Sequence, residues 1–306
     1  MARILVGTQD GLHEFDVDAG RAAIQGATIA HPGRVVTAVA PEGSELWAIL
    51  DGSDIWHTAG VDGWFHFGTL DGLGGNCLAD TRAGVIIGTS EAHLFRVAGE
   101  GLERVSAFDD VEGRTEWFTP WGGPPDTRSI TEDGDSVYVN VHVGGIARSR
   151  DKGATWTATI DIHSDVHEVC TGKGRVFAAS GRGLEVSEDQ GDSWSVRKEG
   201  LHATYCRAVA VCGDDLLVSA SAGPQGGRSA VYRGRLEGGR LERCRQGLPT
   251  WFDTNIDTHC LDALPAGQLA AIGTEDGRVF ASWNQGSSWS LVASDLPHVR
   301  CIRVLP

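Results

Sequence analysis

The sequence predicts an all-β fold, a seven-bladed β-propeller whose last blade is shared between the two ends of the chain. Three observations carry this. Helical periodicity is nearly absent, and short β-rich runs such as RILVGT, SVYVNVHV, RVFAAS and LLVSASA alternate with Gly, Asp and Pro turns. A run of polar, small and apolar residues followed by a turn recurs, mostly at steps of about 40 residues, the length of one four-stranded blade. An eight-residue phrase is written three times, as SRDKGATW (149–156), SEDQGDSW (187–194) and SWNQGSSW (282–289).

The recurring run marks the first strand of each blade. It reads TAVAPEG (37–43), NCLADTRAG (76–84), RSITEDG (128–134), HEVCTGKG (167–174), RAVAVCGDD (207–215), HCLDALPAG (259–267) and RCIRV (300–304). Blades therefore start near residues 36, 75, 127, 166, 206 and 258. The seventh combines 299–306 with 3–30, because residue 1 starts almost directly in a second-strand pattern. Closing the ring with both chain ends removes the exposed sheet edge. A second run follows most first strands, as in VGTQDGLHEF, IGTSEAHLF, VHVGGIARS, ASGRGLEVS and IGTEDGRVFAS, and reads as strand, tight turn, strand. The eight-residue phrase comes next, between third and fourth strands. A degenerate copy is expected near HTAGVDGW (57–64).

With 306 residues, 41% of them hydrophobic, the chain can bury a large core and is read as one domain, 1–306. The net charge of −15 argues against nucleic acid and anionic membrane partners. The N-terminus turns polar after six residues, unlike a signal peptide, and no run is long enough to span a bilayer. The seven cysteines are scattered and odd in number, so free thiols in a reduced, cytoplasmic protein are expected.

Chain order places the starts of the first strands and the second-to-third turns on one face, where function on a rigid scaffold usually sits. Aligning the first strands puts Thr37, Asn76, Arg128, His167, Arg207, His259 and Arg300 in equivalent positions at the mouth of a central funnel. Guanidinium forks bind carboxylate or phosphate, so Arg128, Arg207, Arg300 and Asn76 are candidate binders of a small anionic or sugar-like molecule. The alternative is that these arginines pair with acids such as Asp126, Asp165 and Asp257. His142, His167 and His259 are candidate ligands of a divalent transition metal, with Glu168 as fourth ligand or general base. His167 and His259 are alternatively proton carriers. Two long segments, 108–127 and 247–258, bring Trp117, Trp121, Trp251 and Phe252, which suit stacking on flat ligands or plugging gaps between blades.

The phrase resembles the Asp box, S-x-D-x-G-x-[ST]-W, of BNR-repeat propellers, a superfamily that includes sialidases, other glycoside hydrolases, sorting receptors and photosystem assembly factors. The resemblance implies a folded hairpin corner without a catalytic part. A sialidase-like site would imply an arginine trio, here Arg128, Arg207 and Arg300, and a Tyr–Glu pair, here Tyr205 and Glu168. The FRIP-type arginine motif is absent, and sialidases have six blades. The reading is therefore an enzyme on a small anionic or sugar-like molecule, metal-assisted in one version. The alternatives are a non-catalytic module for a protein or peptide partner and a sialidase-like glycoside hydrolase.

Overall fold

In the computed structural model, which describes residues 2–18, 23–59 and 63–306, the strands form seven four-stranded sheets. Their first strands are Val36–Glu42, Gly75–Thr81, Thr127–Asp133, Val166–Gly172, Tyr205–Cys212, Leu261–Ala263 and Val299–Leu305. Each sheet runs in chain order except the seventh, where Val299–Leu305 pairs antiparallel with Ala2–Thr8 and is followed by Gly11–Asp18 and Ala23–Ala30. This is the seven-bladed β-propeller with a shared last blade. Of the stretch 57–64, where a degenerate phrase was expected, residues 60–62 lie outside the described residues.

The chain divides into two compact units. The middle unit comprises Thr37–Phe177 and Val186–Ser195, and the terminal unit comprises Met1–Val36, Ala178–Glu185 and Val196–Pro306. In the middle unit, neighbouring blades bury aliphatic side chains such as Ile49, Ile55, Val85 and Ile87 between them. A second cluster around Phe108, Trp117, Val139 and Trp156 joins the next pair of blades to the 108–127 segment. The terminal unit repeats the arrangement with clusters around Leu217, Phe252, Phe280 and Trp289 and around Ile4, Val6, Val279 and Ile302. Burial of alternating apolar residues between stacked sheets is what holds such blades together.

Two local rules explain the recurring words. The Gly of VGT and IGT lies where a first strand, of its own blade or of the next, crowds the second. A Cβ on Gly7 would come 2.4 Å from Cys301 Sγ, on Gly88 2.6 Å from Cys77 Sγ, and on Gly273 2.4 Å from Val299 Cγ1. The following Thr turns its hydroxyl back into the tight turn, Thr8 donating to Gly11 O at 3.0 Å and Thr274 to Arg278 O at 3.0 Å.

The eight-residue phrase is a hydrogen-bonded corner between third and fourth strands in all three copies. The Ser hydroxyl accepts the Gly N–H, at 2.8, 2.6 and 2.9 Å in the three copies. The Asp or Asn Oδ1 accepts the N–H four residues on, at 2.8, 2.8 and 2.9 Å. Each Trp Nε1 donates to the Gly carbonyl, at 3.2, 3.2 and 3.1 Å. Two consecutive left-handed residues make the corner, Lys152 and Gly153 in the first copy (φ 59° and 84°), so Gly there avoids a Cβ penalty.

Hydrogen bonds from Ser193 and Ser187 lower the Asp189 carboxyl to about 2, and those from Thr155 and Ser149 lower Asp151 in the same direction. A depressed carboxyl contributes stability that is present above its unfolded value, 3.8, and is lost as pH falls through the folded one. Asp189→Asn is expected to flatten the acid limb between about pH 4 and pH 2. Asn284 already occupies this place in the third copy and makes the same bond to Ser288 N. Urea midpoints against pH check this; an unchanged slope in the variant would contradict it.

All seven cysteines are free. Burial pushes the thiols of Cys206 and Cys212 up to about 12 and that of Cys244 to about 11, which makes them inert packing residues. Among the described residues no helix is long and apolar enough to cross a membrane.

Candidate functional site

The equivalent polar positions of the first strands share a backbone feature. In four blades the register shifts there, so the residue is the extra one of a β-bulge: Asn76 between Gly75 and Cys77, Arg128 between Thr127 and Ser129, Arg207 between Cys206 and Val209, and Arg300 opposite the Gly7–Thr8 step. Bulges bend a strand and re-aim its side chain. The blade that opens near 258 departs from the alignment. Its first strand begins only at Leu261, and His259 sits before it in a turn at φ 64°. A turn bond from Cys260 N to Asp257 O at 2.9 Å and the His259 carbonyl accepting Ile302 N–H at 2.7 Å hold that conformation.

In the middle unit the second-to-third turn after Ser136–Val141 continues into extra pairing. His142 N–H donates to Asp126 O at 2.9 Å, Val166 N–H donates to His142 O at 3.0 Å, and Val143 bridges both Phe118 and Asp165. Asn140 Nδ2 donates to Val166 O at 2.8 Å, and Val169 N–H donates to Ser129 Oγ at 2.8 Å. These bonds lock the turn bearing His142 onto the strand bearing His167. The two imidazoles meet with ring centroids 5.4 Å apart, both essentially buried.

Asp165 lies two residues before His167 on extended backbone, so the two side chains share a face. Its Oδ1 is 3.2 Å from His142 Nε2 and 3.2 Å from His167 Nε2. Neither ring nitrogen of His142 makes a hydrogen bond of acceptable geometry, although the residue is 1% exposed. Burial lowers the His142 pKa, against the pull of Asp165 and with help from the charges of Arg128 and His167, which favours the neutral, ligating form. Burial would raise Asp165, but the His142 and His167 imidazoles, each 3.2 Å from its Oδ1, overcome it and hold the carboxyl well below its usual range. One ligand atom from each of the three residues lies within 4.8 Å of the others. Bonds of about 2.1 Å in a tetrahedral shell put ligand atoms about 3.4 Å apart, close to the two His–Asp separations here.

Around this centre stand Trp121, whose ring meets His142 at 5.0 Å edge-on while 66% exposed, and Arg128, whose charge acts on both His142 and Asp126. Burial raises the Asp126 carboxyl, partly offset by Arg128, His142 and the Asn76 amide. Asn76, Arg128, His142, His167 and Trp121 of the predicted set are thus brought into one neighbourhood. Asp165 was read from the sequence only as an acid that could pair with an arginine; the D-x-H spacing on a strand was the signal for its place beside His167. Glu168 is buried next to His167 in the strand Val166–Gly172. Trp117 is core, tilted against Phe108 at 5.7 Å and under the Arg114 guanidinium at 5.1 Å.

In the terminal unit Arg207 is held by Asp257, with Nη1 at 2.7 and 2.8 Å from the two carboxylate oxygens. Its Nη2 donates to Tyr205 OH at 3.5 Å, and the guanidinium lies over the Tyr205 ring at 5.5 Å. This is the interblade pairing that stood as the alternative to anion binding. Arg300 is exposed. Phe252 is buried against Phe280, and Trp251 packs on His202 and two arginines. His259 is buried beside the Asp257 turn.

No family model and no curated protein matches the chain. Among solved structures it is similar in fold to a chain of a nidogen/laminin complex, at 10% identity with TM-score 0.57 over 100% of this chain and 99% of that one. It is likewise similar to a chain of YCF48 bound to D1 peptide, at 13% identity with TM-score 0.60 over 88% and 85% of the two chains. An ancestral GH74 enzyme aligns at 14% identity with TM-score 0.60 over 84% of this chain and 38% of its own. At such identities the likeness extends to the fold alone, which enzymes and binding proteins share.

Proposed function

We propose that the middle unit carries a divalent transition-metal centre made by His142, Asp165 and His167, and that the protein is an enzyme using it on a small anionic or sugar-like molecule. The observation that carries this reading is the buried His142, both of whose nitrogens lack an aligned hydrogen bond while a carboxylate and a second imidazole face it. A buried polar group left so needs a partner, and two imidazoles with one carboxylate suit zinc, iron, cobalt, nickel or copper. Such an ion, when bound, supplies Lewis acidity at neutral pH.

The chain's own residues do the rest. Arg128 presents a fixed positive charge that orients an anionic group toward the centre. Trp121 covers His142 and offers a flat exposed surface to a ring. We also read the three repeated corners as Asp boxes of the BNR type, supported by their shared hydrogen-bond pattern, and assign them no chemistry.

Elemental analysis of protein purified without chelators or a histidine tag tests the centre. About one equivalent of a transition metal is expected. Absence of bound metal, both as purified and after equilibration with zinc and cobalt, would remove it. A second reading, a module that grips a peptide, is favoured by the exposed Phe118 and Trp121 side chains and by the peptide complex of the structurally similar YCF48. It predicts partner capture that Trp121→Ala abolishes and His142→Ala leaves intact.

A further inference from the structure

A second cluster lies in the terminal unit, on the outer part of the sheet that begins with Tyr205–Cys212. Its third and fourth strands, Ala230–Arg235 and Gly238–Arg243, and the segment around Trp251 border a cavity of about 550 Å³. Trp251 is the centre of it. The Arg243 guanidinium lies 3.6 Å and that of Arg228 4.7 Å from its ring, and the His202 ring is 4.7 Å away. His202 in turn stacks on Tyr232 and bonds its hydroxyl through Nδ1 at 2.7 Å. Arg245 completes the lining.

The charge here runs against the rest of the molecule. The chain carries −15, and arginines such as Arg148, Arg207 and Arg233 are each tied to an aspartate. Among the described residues Arg228, Arg243 and Arg245 make no ion pair, and a buried Nε of Arg243 has no hydrogen-bond acceptor. Glu242 also borders the cavity without closing an ion pair, while Arg240 is engaged with Glu199 at 3.5 Å. Arg228 is held in the left-handed region at φ 50°, a conformation that costs a non-glycine residue. Burial lowers the Arg243 pKa, and the like charges of Arg245 and Arg228 add to it. Like charges gathered on one aromatic platform, with an open donor among them, are compensated when an anion sits between them.

We propose that this cavity binds a small molecule bearing a phosphate monoester, the phosphoryl group taken by Arg228, Arg243 and Arg245 and its ring laid along the Trp251, His202 and Tyr232 walls. A dianion matches three unpaired guanidinium groups better than a carboxylate does. The volume is that of a small-ligand site. The proposal is independent of the metal centre.

Titration calorimetry at constant ionic strength tests it, with phenyl phosphate, inorganic phosphate and benzoate as probes. Phenyl phosphate is expected to bind about tenfold more tightly than either of the others, because only it supplies both the dianion and the ring. Arg243→Gln is expected to weaken phenyl phosphate about tenfold or more, and the exposed Arg245→Gln, which leaves the Trp251 platform untouched, several-fold. No binding of phenyl phosphate at millimolar concentration would overturn the proposal, as would equal binding of benzoate or an unchanged affinity in Arg245→Gln. Tighter binding of a phosphotyrosine peptide than of phenyl phosphate would overturn the small-molecule assignment.

Discussion

On the proposed metal centre, His142→Ala protein is expected to fold and to lose its affinity for a transition metal. The substitution would remove one of the three proposed ligand atoms and leave Asp165 and His167, too few for tight binding of a first-row ion. Losing even an outer-shell partner costs about 10–100-fold in affinity, so losing a ligand should cost at least about 100-fold. The fold should survive, because the His142 backbone is held by Asp126 O and Val166 N–H, neither of which depends on the imidazole. Removing a buried imidazole also removes a desolvated polar group that has no aligned hydrogen bond. Competition with a chromogenic chelator reads the affinity, and circular dichroism reads the fold. Trp121→Ala is the control: it uncovers the centre without touching a ligand and should keep the metal. Equal metal affinity in His142→Ala and native protein would contradict the assignment.

Phe108→Ala should produce the largest loss of stability among single substitutions near the site, about 3–5 kcal/mol. Phe108 is fully buried and meets Trp156 edge-on at 5.3 Å and Trp117 at 5.7 Å. It therefore joins a repeated corner to the segment that carries Trp121. The short helix Ser106–Asp109 that holds it is tied down by the Asp109 carboxylate, which takes His93 Nδ1 at 2.7 Å and Arg104 Nε at 2.7 Å. With the ring gone, the Trp117 and Trp156 indoles face a cavity that the hydrogen-bonded strands beneath cannot close. Chemical denaturation at neutral pH measures the change; a cost under about 1 kcal/mol would mean that the segment collapses onto the void. A looser segment should also free Trp121 from His142, and quenching of its fluorescence by acrylamide should rise.

Much of the fold was legible because its signals are local. First strands begin at 36, 75, 127, 166, 205 and 299, within a residue of the expected blade starts, and the shared last blade pairs as expected. The exception is instructive. HCLDALPAG aligned well, yet His259 adopts a left-handed turn and the strand waits until Leu261, because the preceding segment enters through the Asp257 turn. The candidate site was half legible. His142 and His167 were marked by type and position, but Asp165 was weighed as an arginine partner, since nothing in its own stretch reveals which side chain comes to face it.

Blade count, strand order, the closing strand and the repeated corner were determined by the sequence alone. Each rests on turn chemistry and two-residue periodicity acting within about ten residues, where a short peptide already contains both partners of the bond. Tertiary structure decided who meets whom across longer separations. It set Asp165 against His142 and Asp257 against Arg207, buried Trp117 and Phe252 as packing, and gathered Arg228, Arg243 and Arg245 about Trp251. Those outcomes depend on how bulged strands and long segments pack against one another, and side-chain partners so far apart in the chain leave no periodic trace in it.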